Sequence, residues 1–248
     1  MKPYLSIVIP VYNEVLNFRA GVLKPSFYYL REQKYSWEVI FVDDGSSDNS
    51  YSLLQAFCQK NKHCRLLAIP HGGRAAAMTK AMLAAQGKFI LYTDFDQSTE
   101  ISQIEKFFAA MKKGSDLAIG TRGYGRSLRI DSTLNKFRAK AFAWLARTVL
   151  LPGIIDINCG FKLYKHHVAK RIFSSLKVYA PRKLNGPYMG AVDSEILYLA
   201  RKFGFKITQI PVDWVRRPAT RLNLWSETSR MLLDLAKMKY YDLSGRYN

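Results

Sequence analysis

The sequence predicts an α/β fold, a mostly parallel central sheet with helices on both faces. Three observations predict it. Between residues 5 and 120, short apolar runs of strand length alternate with longer amphipathic segments, the rhythm of βα units that build parallel sheets. A polar cluster follows each run: Glu14 after the first, Asp43 and Asp44 after the second, Arg74 after the third, Asp94 and Asp96 after the fourth, Arg122 after the fifth. Ligands bind in such sheets beyond the carboxyl ends of the strands, where these clusters fall. Finally, 48% hydrophobic and 23% charged residues over 248 positions describe a globular chain able to bury one large core.

The first strand, residues 5–10, leads through Val11-Tyr12-Asn13-Glu14 into a helical stretch to about Arg31, interrupted near Pro25. A second strand, 37–42, ends in Asp43-Asp44-Gly45-Ser46-Ser47-Asp48, and an amphipathic helix follows over 48–60. The third, 66–69, runs into His71-Gly72-Gly73-Arg74, which opens an Ala-rich helix to about Ala85. The fourth, 88–92, stops abruptly at Asp94-Phe95-Asp96. Side chains two apart in extended backbone point the same way, so Asp94 and Asp96 face one point while Phe95 turns into the protein. Such a pair suits Mg²⁺ or Mn²⁺, which takes one or two carboxylates and fills its shell with water and substrate phosphates. The plainer alternative is a helix start, with Ser98 or Thr99 as cap before residues 100–111; the two readings are compatible, and a helix is expected over 101–112. A fifth strand, 116–120, completes the series.

After Gly120 a basic loop with Arg122, Arg126 and Arg129 leads to a long helix over 133–151, ended by Pro152-Gly153. Its apolar residues, among them Leu134, Phe137, Phe142 and Leu145, are interleaved with Lys136, Arg138, Lys140 and Arg147. That describes either a core helix with a wet basic face or one that meets lipid. A short helix contains residues 169–173. Val192-Asp193-Ser194-Glu195 opens another, to about Phe203, and carboxylates in a first turn serve the helix dipole whatever else they do. A strand pair over 206–211 and 213–217 follows, then a final helix over 223–240 with Leu224, Met231, Leu232, Leu235 and Met238 on one stripe. That helix is an interfacial anchor, a homodimer contact or plain core. With no internal repeat and no linker, residues 1–248 form one domain.

Residues 1–121 hold 14 Lys and Arg against 11 Asp and Glu, and residues 122–248 hold 24 against 8, so the second half carries most of the net charge of +19. A field of that sign favours polyanions or anionic lipid headgroups. The three cysteines, Cys58, Cys64 and Cys159, form no metal-ligand or Cys-x-x-Cys spacing, which points to reduced thiols in the cytosol. No secretory leader precedes the first strand, and no uncharged apolar run approaches the roughly 18 residues that span a bilayer. The expected location is cytoplasmic, peripheral at the membrane face.

In order, Val8-Ile9-Pro10-Val11-Tyr12-Asn13-Glu14, Val42-Asp43-Asp44-Gly45-Ser46-Ser47-Asp48, Asp94-Phe95-Asp96, Gly120-Thr121-Arg122, Cys159-Gly160-Phe161-Lys162 and Asp193-Ser194-Glu195 resemble the signature of inverting glycosyltransferase family 2. The resemblance is closest to the dolichyl-phosphate glucosyltransferases and dolichol-phosphate mannosyltransferases. It implies a GT-A fold, a nucleotide-sugar donor such as UDP-glucose or GDP-mannose, a divalent metal and a polyprenyl-phosphate acceptor. Residues 1–121 become the nucleotide-sugar half and 122–248 the acceptor half, with basic helices facing the membrane. The family pattern places Pro10, Tyr12, Glu14, Asp43, Asp44 and Arg74 around the donor nucleotide, and Asp94 and Asp96 at the metal. It places Arg217, Thr220 and Arg221 over the donor diphosphate, and Arg122, Lys136 and Arg138 at the acceptor phosphate. Three departures stand out: His71-Gly72-Gly73-Arg74 replaces the usual Asn-x-Gly-Lys, Phe95 replaces Ala, and Ala219 replaces Gly. Ser98-Thr99-Glu100 is more like the glucosyltransferase branch.

A lipid phosphate is already ionised at neutral pH, its second pKa lying near about 6, so no strong base is required and arginines position it. A sugar hydroxyl, as in surface polysaccharide synthesis, needs a carboxylate to take its proton, and Asp193 or Glu195 is then the first choice. A basic nucleic-acid-binding protein is the remote alternative, since pI ≈ 9.9 comes with no recognisable binding motif.

Overall fold

A computed structural model of the chain describes residues 2–122, 151–180, 191–215 and 224–247, with the side chains of the last stretch from 233 onward. Seven strands, β1 (Leu5–Val11), β2 (Trp37–Asp43), β3 (Cys64–Ala68), β4 (Phe89–Thr93), β5 (Leu117–Thr121), β6 (Phe161–Lys165) and β7 (Ile207–Pro211), make one sheet in the order β3-β2-β1-β4-β6-β5-β7. The described helices are α1 (Val15–Arg19), α2 (Lys24–Arg31), α3 (Ser50–Gln59), α4 (Gly73–Ala84), α5 (Ile104–Lys112), α6 (His166–Ser174), α7 (Val192–Lys202) and α8 (Leu224–Leu243).

Each strand feeds two cores. In β1, Leu5, Ile7, Ile9 and Val11 enter one cluster with Phe27, Leu54, Ile104 and Phe107 of α2, α3 and α5, while Val8 enters the other. In β2, Val39 and Phe41 go one way, Ile40 and Val42 the other. This is the strand period of two with both faces covered, which explains why the runs read as continuously apolar. The second cluster is roofed by α4, α6, α7 and α8. Ala75, Ala76, Ala77 and Ala81 of α4 are small enough for that helix to lie close on β1 and β2.

The strand β6 was not foreseen, and it positions the site. It runs antiparallel to both β4 and β5, whereas the other pairings are parallel. Two lysines in five residues disguise it as polar, yet Lys162 is fully buried and Lys165 pairs with Asp116 at 2.8 Å. Its register sets Phe161 opposite Thr93. Gly160 therefore arrives beside Asp94.

Two local expectations need correction. Neither Ser98 nor Thr99 caps a helix: a 3₁₀ turn, Ile101–Gln103, opens the α5 region with Glu100 at its cap position, without a side-chain bond. Ser98 is occupied with Asp96 instead, donating N–H at 2.9 Å and O–H at 2.8 Å. The predicted strand over 213–217 is no ladder strand in its described part, where Trp214 makes a single bridge to Thr99 and the Val215 N–H donates to the Ser98 carbonyl at 2.8 Å. That segment leaves β7 to cross over the Asp96 loop.

The helix expected over 133–151, with Lys136 and Arg138, and the segment bearing Arg217, Thr220 and Arg221 lie outside the described residues. Of the stripe predicted on the last helix, Leu235 and Met238 are buried. Among the described residues, no helix is long and apolar enough to cross a membrane.

Candidate active site

The carboxyl end of β4 carries the first part of the site. Phe95 is 2% exposed, in the core as its neighbours' pattern requires, whereas the Asp94 side chain is 47% exposed. The turn needs Gln97 at φ 51°, a left-handed conformation uncommon for a non-glycine residue and frequent at functional sites. Tyr92 Oη donates to Asp94 Oδ1 at 2.8 Å, and Gln97 ties the loop through the Asp94 carbonyl at 2.7 Å. Glu14 faces the same place. Burial raises its proton affinity, Asn17 lowers it, and the charges of Asp96, Asp94 and Asp48 raise it further.

Among the described residues no group of three or more His, Cys, Asp or Glu side chains is placed to hold a metal ion. Two carboxylates fit the chemistry of Mg²⁺ or Mn²⁺ completed by phosphates and water. The surroundings fit too, because the chain makes room for Asp94 deliberately. A Cβ built on Gly160 would lie 1.7 Å from Asp94 Oδ2, so only glycine permits this approach. Gly160→Ala is expected to push the carboxylate aside by an ångström or more and lower kcat about 100-fold, with the circular dichroism spectrum retained. An unchanged kcat would show that Asp94 does not need this contact.

A second group forms where β1, β2 and β3 end. Tyr12 stacks on His71, ring centroids 4.6 Å apart and planes inclined by 22°. His71 Nδ1 lies 2.9 Å from Asp44 Oδ2, and the Gly72 N–H donates to Asp44 Oδ1 at 2.8 Å. Burial pushes the Asp44 carboxyl up despite Gly72 and His71, which pull it down. Asn13, at φ 56°, accepts from the Ser47 N–H at 2.9 Å and locks the two loops together. Asp43 is buried; its Oδ2 accepts the Ser46 N–H at 3.1 Å, and its Oδ1 has no partner among the described groups. An unpaired buried acceptor is costly, and a ligand N–H would satisfy it.

The carboxylates of α7 have surroundings that do not suit a proton acceptor. Asp193 is 2% exposed and accepts from Lys162 Nζ at 2.7 Å and Arg74 Nη1 at 3.0 Å. Burial by itself would raise its pKa, but Lys162 and Arg74 outweigh burial and hold it below the usual carboxylate range. Arg74, predicted to touch the donor, spans Asp193 and Tyr92, donating through Nε to Tyr92 Oη at 2.8 Å. Glu195 is fully buried. It accepts the N–H groups of Lys177 (2.8 Å), Val178 (2.9 Å) and Tyr179 (2.9 Å) and the hydroxyl of Tyr247 (2.7 Å). These bonds fasten the segment before α7 and Tyr247, beyond α8, to the Glu195 carboxylate.

Arg122 stands at the end of β5 as predicted. Asp156 grips it with two bonds, Nε to Oδ2 at 2.7 Å and Nη2 to Oδ1 at 2.8 Å, and also accepts its N–H. The guanidinium lies 5.7 Å from the Trp214 ring centroid. Burial lowers its pKa, Asp156 more than reverses this, and the cation is held in place by that carboxylate.

Thus the structure brings Glu14, Arg74, Asp94, Asp96 and Arg122 within electrostatic reach of one another, and places Tyr12, Asp43 and Asp44 at the ends of β1 and β2, where Pro10 is half-buried. Asp193 joins through Arg74, whereas the bonds of Glu195 go to Lys177, Val178, Tyr179 and Tyr247. Sequence reasoning gave no site role to Tyr92 and Asp156, and named His71 and Lys162 only within motifs, without a role of their own. The signal for Lys162 was its place in an otherwise apolar motif; Tyr92 looked like ordinary core.

A family model described as "Glycosyl transferase family 2" matches residues 6–173. "Dolichyl-phosphate beta-glucosyltransferase" of Dictyostelium discoideum is 30% identical over 257 residues, covering 98% of this chain and 76% of that protein. The protein of the same name from Homo sapiens is 28% identical over 262 residues, covering 98% and 77%. Among solved structures, glucosyl-3-phosphoglycerate synthase from Mycobacterium tuberculosis with Mn²⁺, uridine diphosphate and glucosyl-3-phosphoglycerate superposes with a TM-score of 0.63 at 16% identity, over 95% of this chain and 80% of that one. That likeness shows the fold, GT-A.

Proposed function

The chain belongs to glycosyl transferase family 2, and from that premise we propose that it transfers glucose from UDP-glucose to a polyprenyl phosphate of the dolichyl type, working at the cytoplasmic face of a membrane. The names of the relatives support the sugar and the acceptor, and uridine diphosphate in a structural neighbour supports the donor. The observation that carries the acceptor reading is the state of the two candidate bases. Asp193 lies between two cations and Glu195 is engaged by four donors. A hydroxyl acceptor needs a carboxylate free to take its proton; an ionised phosphate does not.

In this reading, Tyr12 and His71 form a stacking wall for the nucleobase, and Asp43 Oδ1 takes a base N–H. Asp94 and Asp96 would hold Mg²⁺ or Mn²⁺. When bound, the ion stabilises the negative charge that builds on the departing diphosphate. Arg122, oriented by Asp156, aligns the acceptor phosphate for attack on the sugar, a task suited to a guanidinium. Lys136 and Arg138 assist there, and Arg217, Thr220 and Arg221 close over the diphosphate, as the family pattern assigns them. The basic second half holds the enzyme to an anionic surface, at about 1 kcal/mol per Lys or Arg near the lipid.

The test is transfer of radiolabelled hexose from UDP-glucose or GDP-mannose to a short polyprenyl phosphate in detergent, with Mn²⁺, Mg²⁺ or chelator. Product extractable into organic solvent, formed from UDP-glucose and lost with chelator, is expected. Metal-dependent donor hydrolysis without lipid product would overturn the acceptor.

A further inference from the structure

A closed ring of contacts links Asp193 to both oxygens of Asp94. On one side Arg74 Nη1 donates to Asp193 Oδ2 at 3.0 Å, Arg74 Nε donates to Tyr92 Oη at 2.8 Å, and Tyr92 Oη donates to Asp94 Oδ1 at 2.8 Å. On the other, Lys162 Nζ donates to Asp193 Oδ1 at 2.7 Å and to the Cys159 carbonyl at 2.5 Å, and the next residue, Gly160, abuts Asp94 Oδ2. Asp193, Lys162 and Tyr92 are buried, so the ring meets water chiefly at Asp94.

The charges balance within it: two cations, Arg74 and Lys162, face two carboxylates, Asp193 and Asp94. Arg74 Nη2 is 3.5 Å from Asp94 Oδ1, near enough for attraction but too long for a good hydrogen bond. Nη1 and Nε are already committed to Asp193 and Tyr92. Without the charge of Asp193, Arg74 would turn to Asp94, the remaining carboxylate within reach, and compete there with any other cation.

We propose that Asp193 is a positioning residue: through Arg74 and Tyr92 on one side and Lys162 on the other, it keeps Asp94 oriented and available to a divalent cation, instead of taking a proton from the acceptor. The proposal rests on the assignment of Asp94 to the metal. Outer groups that orient metal ligands change affinity by roughly 10–100-fold when removed. Tyr92→Phe deletes only the hydroxyl inside the ring and keeps its volume, so it tests the ring even where Asp193→Asn folds poorly.

The experiment is Mn²⁺ binding in the presence of UDP, followed by electron paramagnetic resonance on wild type, Asp94→Ala, Asp193→Asn and Tyr92→Phe, with transfer rates measured against Mn²⁺ concentration. Expected are binding by wild type, none by Asp94→Ala, and affinity lowered roughly 10-fold or more in Asp193→Asn and Tyr92→Phe. In these two, the loss of transfer appears mainly as a higher Mn²⁺ requirement. Wild-type affinity in both, with transfer in Asp193→Asn abolished at every Mn²⁺ concentration, would overturn positioning and restore the proton-acceptor role, leaving the metal site intact. Failure of the wild type itself to bind Mn²⁺ with UDP would overturn the metal assignment and this proposal with it.

Discussion

Asp94→Ala is expected to abolish transfer, lowering kcat about 10³-fold or more, while the fold survives. The magnitude follows from the several kcal/mol that a bound divalent ion contributes to transition-state charge stabilisation, at one factor of ten per 1.36 kcal/mol. The fold should tolerate the change because the side chain is half exposed at the end of β4 and supports no core packing. Arg74 keeps its bonds to Asp193 and Tyr92 in the variant. Turnover and melting temperature measured together decide the matter: normal turnover would remove Asp94 from the metal site, and a large fall in melting temperature would make it a structural residue.

Glu195→Ala is expected to do the opposite, melting the protein with no specific effect on chemistry. Its carboxylate serves three backbone N–H groups and the Tyr247 hydroxyl in a fully buried setting. Each buried donor left unpaired costs about 1–3 kcal/mol. The three buried donors, of Val178, Tyr179 and Tyr247, with a smaller share from the part-exposed Lys177 N–H, amount to about 4–6 kcal/mol, and the melting temperature should fall about 10–20 °C. Glu195→Gln keeps one acceptor oxygen but sets an NH₂ against an N–H donor, so it should fall by a smaller amount in the same direction. Below the transition, folded Glu195→Gln should retain transfer. A folded but inactive Glu195→Gln with an unchanged melting temperature would identify Glu195 as the proton acceptor.

Most of residues 1–121 was legible in the sequence because its signals are local. A strand buried on both faces must be an apolar run, and the loop after it must carry whatever polar chemistry the site needs. For that reason β1, β2, β4 and β5 and the clusters at Glu14, Asp43, Asp44, Asp94 and Arg122 could be placed from the pattern alone. β6 could not. Its two lysines look solvent-facing until one is seen to be matched by Asp193, a residue 31 positions away in sequence. Periodicity reports the average polarity of a face, and a buried charge with a distant partner violates it.

The carboxylates of α7 mark the same boundary. Their position in a first turn was readable, and so was the family pattern that made them candidate bases. The sequence by itself determined the layered α/β architecture, the order of the polar loops and the residue types available at the sheet's carboxyl edge, all of which follow from short-range period and composition. Only the tertiary structure decided which carboxylates are tied to buried partners. Ionic and hydrogen-bond partners come from segments far apart in the chain, and a carboxylate's proton affinity and reach depend on those partners and its burial, not on its neighbours in sequence.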